Sequence, residues 1–148
     1  MTINFRELFK KQSTGEEIQP IEKGKLFPFP DEVAHKSTTP CETVVCFISM
    51  SCLYCIDLLP YLKDFSTQMD EDFILISNGK KGEIEEIKSY FNFGFPLLSQ
   101  SLSESTFTYG VMTHPYVFYI SQDGLVQSST SFDDIEELQA FLEKVRGH

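Results

Sequence analysis

The sequence predicts an α/β fold in three layers, a central mixed sheet with helices on both faces. Three observations predict it. Strand-like apolar runs alternate with stretches of helical periodicity. An Asp-Gly pair joins two further runs late in the chain, and 148 residues suit one domain around one core. Strands that alternate with helices pair in parallel, because each helical crossover returns the chain to the same end of the sheet; a hairpin then adds antiparallel strands.

The elements follow in order. Ile3, Phe5, Leu8 and Phe9 give residues 3–11 a short amphipathic pattern, a candidate helix. A polar stretch with Gly15, Pro20 and Gly24 reads as loop, so residues 1–24 form an extension ahead of a domain spanning 25–148. Leu26-Phe27-Pro28-Phe29-Pro30 is apolar but proline-bound, at most an edge strand.

Thr43 to Ser49 is a continuous β-branched and apolar run, the pattern of a central strand buried on both faces. From about Leu53 to Thr67, Ile56, Leu59, Leu62 and Phe65 recur at helical spacing around Pro60. Phe73 to Ser77 is a second buried strand, closed by the turn pair Asn78-Gly79. Glu83 to Phe91 reads as helix with Ile84, Ile87 and Phe91 on one face. Pro96-Leu97-Leu98 is a short apolar segment, and periodicity assigns no element to Ser101–Gly110. Tyr116–Ile120 and Leu125–Ser129 flank Gln122-Asp123-Gly124 as a hairpin, and residues 133–146 close the chain as a helix with Ile135, Leu138, Phe141, Leu142 and Val145 inward.

Composition narrows the function classes. Hydrophobic residues make up 41% and charged residues 23%, an ordinary globular balance. With 12 Lys and Arg against 22 Asp and Glu, the net charge of -10 argues against nucleic acid or an anionic membrane, since neither gains counterion-release energy from an acidic surface. No apolar run reaches the roughly 18 residues of a membrane span. The first residues, Met1 to Lys11, lack a signal peptide's apolar stretch, so a cytoplasmic location is expected. All four cysteines fall between Cys41 and Cys55, clustering that points to redox or metal chemistry rather than loop stapling.

Cys52-Leu53-Tyr54-Cys55 follows a buried strand directly and opens a helix. Two cysteines at this spacing can close a disulfide across the first helical turn. The first sits where free backbone N–H groups and the helix dipole favour negative charge, which can bring a thiol from about 8.5 to roughly 3.5–7.5. Cys52 is therefore the expected nucleophile and Cys55 the resolving thiol.

With these residues in place the chain resembles the thioredoxin superfamily. Phe47 lies five residues before Cys52, Pro60 five after Cys55, and His114-Pro115 just before the Tyr116–Ile120 strand, where the family has its core Phe, helix proline and cis-proline. Over roughly residues 25–146 it is most similar to the redoxin branch of TlpA-like and ResA-like thiol–disulfide oxidoreductases. Lys25 to Pro30, Tyr90 to Leu98 and Tyr109 to Pro115 carry that likeness. As a whole it also resembles thioredoxin-like proteins of bacteriocin (sporulation killing factor) biosynthesis.

The resemblance implies a thioredoxin-like fold and a thiol–disulfide oxidoreductase with a redox-active disulfide between Cys52 and Cys55. His114, Pro115, Leu53 and Tyr54 would contact substrate. A protein or peptide disulfide or dithiol would be the substrate, a precursor peptide in the bacteriocin case, and a redox partner would recycle the pair. It calls for a monomer and for no metal or organic cofactor.

The departures are specific. Ser51 stands in place of the usual Trp, Cys46 in place of the buried Asp, and Leu53-Tyr54 in place of Gly-Pro or Pro-His, so a specialised exchanger is expected. Three competing readings stand beside it. One is a redox-inert interaction module. One is zinc held by Cys41, Cys46, Cys52 and Cys55, which needs Cys46 to leave its strand. The last is a peroxidase resembling peroxiredoxin, with Ser49 three residues before Cys52. Against it stand Val45 in place of a required Pro and arginines only at Arg6 and Arg146. His114 could hydrogen-bond a thiolate or tune it. Cys46 reads as a small buried hydrophobe, Phe91, Phe93 and Phe95 as core, His35 and His148 as solvated, and Asp70-Glu71-Asp72 as a solvated loop.

Overall fold

A computed structural model of the chain describes residues 18–33 and 41–147. The helix expected over residues 3–11 lies outside them, as do His35, His148 and Arg6. Among the described residues the chain forms β1 (Thr43–Ile48), α1 (Leu53–Thr67), β2 (Asp72–Ser77), α2 (Lys81–Phe91), β3 (Leu97–Ser99), α3 (Leu102–Tyr109), β4 (Tyr116–Ile120), β5 (Val126–Ser131) and α4 (Ile135–Arg146). The strands make one sheet in the order β3-β2-β1-β4-β5. β1, β2 and β3 are parallel, and β4 runs antiparallel to both β1 and β5. This is the mixed sheet of the thioredoxin-like fold.

β1 sits at the centre because every residue in it is apolar or small enough to be buried, and all six are. Alternation splits them between two cores. Val44, Cys46 and Ile48 meet α1 through Leu58, Leu59 and Leu62, and α4 through Leu138 and Leu142. Val45 and Phe47 meet Phe118, Tyr109 of α3, and Phe27. Each buried Phe or Leu contributes about 1.5–3 kcal/mol, so β1 is held from both sides.

The segment before β1 packs on the second face. Phe27 stacks on Tyr109 with ring centroids 4.9 Å apart, and the Tyr109 hydroxyl donates to the Pro28 carbonyl at 2.7 Å. Leu26 makes an isolated bridge to Leu125 rather than a strand. Ile21 N–H donates to the Tyr109 carbonyl at 3.2 Å, so residues ahead of 25 are also tied to the domain.

Three expectations change. Ile56 does not face the core and is 43% exposed, because the inward stripe of α1 is Cys55, Leu58, Leu59, Leu62 and Phe65. Ser101–Gly110 does contain a helix, capped by the Ser101 hydroxyl, which accepts from Glu104 N–H at 3.1 Å. Glu71 is no solvated loop residue: its carboxylate is buried, accepts from Tyr119 Oη at 2.9 Å and is gripped by Arg146. Phe93 and Phe95 are buried, with ring centroids 4.5 Å apart, and Phe91 packs partly against them.

Candidate active site

β1 ends at Ile48 and α1 begins at Leu53, so the four residues between must turn the chain off the central strand onto the sheet face. Their amides are all committed. Ser49 N–H donates to Cys55 Sγ at 3.3 Å, Met50 N–H to Asn78 Oδ1 at 2.7 Å, and Ser51 N–H to Ser49 Oγ at 3.2 Å. Cys52 N–H donates to the Ser49 carbonyl at 3.1 Å. Cys52 is the N-cap of α1 with extended backbone, φ -103° and ψ 119°. Its thiol is half-buried, while Cys55, one turn on, is fully buried.

Burial pushes the Cys55 thiol well above the ordinary range; the Ser49 amide opposes the rise and the neighbouring Cys52 thiol adds to it. Cys55 is therefore protonated at neutral pH in the reduced chain.

The loop before β4 closes the site from the other side. Cys52 Sγ donates to the main-chain oxygen of His114 at 3.4 Å, across 62 residues of sequence. The His114–Pro115 peptide bond is cis, and Pro115 is buried beside the start of β4. The carbonyl of His114, not its imidazole, is what meets the thiol. The imidazole is half-buried, and burial lowers its pKa, so it is neutral near pH 7. Leu53, at 76% exposed, and Tyr54 present apolar surface next to Cys52.

The other two cysteines do not join the pair as ligands. Cys46 stays in β1, fully buried, with burial pushing its thiol up. Cys41 precedes the opposite end of β1, where it lines a cleft of about 640 Å³ with Thr43, Asp72 and Phe95. A strand rises about 3.3 Å per residue, so Cys41 and Cys52 sit at opposite ends of the sheet. Among the described residues no three His, Cys, Asp or Glu side chains converge as a metal site, so the four-cysteine zinc set is not assembled. Arg146 is also bound at that far end, on Glu71, and is not available to polarise a peroxide at Cys52.

The pair, its capping loop and the His114–Pro115 loop are brought together as expected. Asn78 was not foreseen as a member of the site, and Ser49 was expected there only as the hydroxyl of the peroxidase reading, not as an amide donor to Cys55. The Asn-Gly pair at 78 and 79 signals a turn, but nothing in the sequence ties Asn78 to an amide 28 residues earlier.

Solved structures share the fold. No protein-family model and no curated protein matches the chain. A structure from Chlorobium tepidum described as a thiol:disulfide interchange protein, DsbE, superposes with a TM-score of 0.70 at 15% identity, covering 86% of this chain and 97% of that one. The thioredoxin domain of a thiol-disulfide oxidoreductase from Bacteroides vulgatus gives 0.62 at 13% identity, covering 84% and 97%. StoA from Bacillus subtilis gives 0.57 at 18% identity, covering 71% and 84%. At these identities the likeness establishes the thioredoxin-like fold.

Proposed function

We propose that the chain is a thiol–disulfide oxidoreductase that exchanges disulfides with a protein or peptide through Cys52 and Cys55. One observation carries this reading. Cys52 sits at the N-terminus of α1 with Cys55 one turn behind it and the His114 carbonyl 3.4 Å from its sulfur. That arrangement presents one reachable sulfur and keeps a second in line to displace whatever the first binds. The names of the fold neighbours, interchange proteins and oxidoreductases, agree with it.

The chemistry balances in two exchanges. The Cys52 thiolate attacks one sulfur of a substrate disulfide, forming the Cys52–substrate bond and releasing the other substrate sulfur as thiolate. Cys55, once deprotonated, attacks Cys52 Sγ, closing the Cys52–Cys55 disulfide and releasing the second substrate thiolate. Two electrons pass to the substrate, and the reverse sequence oxidises a dithiol. Pro115 and the backbone before it align the substrate strand, while Leu53 and Tyr54 contact its apolar side chains. A redox partner restores the pair.

The clustering of all four cysteines supports a chain at work in a reducing, cytoplasmic setting. Among the described residues no helix is long and apolar enough to cross a membrane. The likeness to bacteriocin-maturation proteins supports a precursor peptide as the disulfide acceptor. An oxidising Cys52–Cys55 potential relative to the glutathione pool is then expected.

The test is insulin reduction and peptide oxidation by the wild type and Cys52→Ser. Turnover lost in the variant supports the reading; equal turnover by both sinks it.

A further inference from the structure

The Asn78 side chain ties the loop that carries Cys52 to the end of β2. Met50 N–H donates to Asn78 Oδ1 at 2.7 Å, the shortest bond the loop makes, and Asn78 stands directly after β2. The backbone at 78 is itself held: Ser77 Oγ donates to the Asn78 carbonyl at 2.9 Å. Gly79 follows with φ 128°, and the position of a Cβ there would lie 3.6 Å from Met50 Cγ. The turn after β2 therefore meets Met50 through the Asn78 side chain, with little room for a side chain at 79 between them. On the other side of the Met50 amide lies Ser49, whose N–H points at Cys55 Sγ at 3.3 Å and whose Oγ accepts from Ser51 N–H.

We propose that Asn78 is a positioning residue for the cysteine pair: by accepting from the Met50 amide it fixes the 49–52 loop so that the Ser49 amide stays aimed at the Cys55 sulfur. This rests on the exchange reading for its consequence, but the geometry stands apart from it. An N–H aimed at sulfur favours the thiolate, the species that attacks. Asn78 touches neither sulfur; it acts through the peptide between Ser49 and Met50. An acceptor is required at 78, so a carboxylate serves where a methyl does not.

The consequence can be sized. Losing one hydrogen bond to a thiolate raises the thiol pKa by about one unit. Below its pKa the thiolate fraction then falls about tenfold. The more basic thiolate is intrinsically about threefold more nucleophilic, so resolution slows about threefold.

The experiment uses the full reduced chain carrying Cys41→Ser, so that the partly exposed Cys41 releases nothing of its own, with 5,5′-dithiobis(2-nitrobenzoate), an aryl disulfide that needs no natural substrate. Cys52 attack releases a first thionitrobenzoate, and Cys55 attack on the mixed disulfide releases a second. Asn78→Ala should slow the second release about threefold and strip hydrogen-exchange protection from the Met50 amide. Asn78→Asp should keep that protection. An alanine variant with wild-type second release, or with Met50 still protected, overturns the proposal. Should the alanine variant not fold, the wild type decides: a Met50 amide exchanging at the rate of an unstructured peptide overturns it, and a protected one lost in Asn78→Leu, which keeps the shape and removes the acceptor, sustains it. A wild type that releases both thionitrobenzoates yet never turns over insulin or peptide defeats the exchange function and leaves the Asn78 geometry standing.

Discussion

Arg146, in the last turn of α4, closes a two-point ion pair on Glu71, with Nε 2.7 Å from Oε2 and Nη2 2.8 Å from Oε1. The carboxylate is buried just ahead of β2 and also accepts from Tyr119 Oη, so one side chain joins β2, β4 and the C-terminal helix. The arginine is 40% exposed, which screens the pair. Arg146→Met should therefore cost about 1–2 kcal/mol rather than the full penalty of a stranded buried charge. A urea midpoint at pH 7 equal to wild type would refute this.

The same pair sets an acid response. Burial pushes the Glu71 carboxyl up, but hydrogen bonds from Arg146 and Tyr119 hold it below its ordinary value. Its stabilisation is thus present above the unfolded-state value of about 4.3 and is lost as pH falls through the lower folded value. As pH falls from 5 through the folded value, the wild type should lose this increment while Arg146→Met loses less of it. Urea midpoints across that range check the difference in slope.

Cys55 supplies a kinetic prediction. Its thiol is held above the usual range by burial, so the thiolate needed for resolution is scarce at neutral pH and increases about tenfold per pH unit below the pKa. The second thionitrobenzoate release should climb steeply from pH 6 to 9. In a Cys41→Ser background, which removes the other partly exposed thiol, Cys55→Ala should stop after the first release and hold a mixed disulfide visible as a mass increment on Cys52. A flat second phase, or no trapped adduct, contradicts the assignment.

Cys46 lies in the core shared with Cys55 and should be structural. Cys46→Ala removes one buried sulfur and should cost about 1–2 kcal/mol in stability. Both thionitrobenzoate releases should persist. Loss of either release in a folded Cys46→Ala protein would give this residue a chemical role instead.

Gly110 ends α3 with φ 73°, and a Cβ there would collide with the Gln19 carbonyl. Both strain and a backbone clash oppose a side chain. Gly110→Ala should lose about 2 kcal/mol or more, since the Gln19–Ile21 segment must shift away from Tyr109. Denaturation showing a loss under about 0.5 kcal/mol would contradict it.

Much of this was legible in the residues. Runs such as Val44–Ile48 and Tyr116–Ile120 are apolar throughout because they are buried on both faces, and Cys52-Leu53-Tyr54-Cys55 announces itself by standing between strand and helix. What stayed hidden depended on partners far along the chain. Glu71 looks solvated until Arg146 arrives 75 residues later, and Asn78 looks like turn chemistry until its side chain meets Met50. α3 was missed for a different reason. Its apolar stripe is weak, with only Ser105 and Tyr109 buried, though Ser101 with Glu104 is a capping signature readable in advance.

The cysteine pair depends on chain that is synthesised well after it. Asn78 follows Met50 by 28 residues and His114 follows Cys52 by 62. A nascent chain thus carries both thiols into the cell before the groups that orient them exist. Until β4 is made and docked, Cys52 and Cys55 are ordinary cysteines on an unfinished sheet. The arrangement of the pair therefore arises late, as a property of the completed molecule.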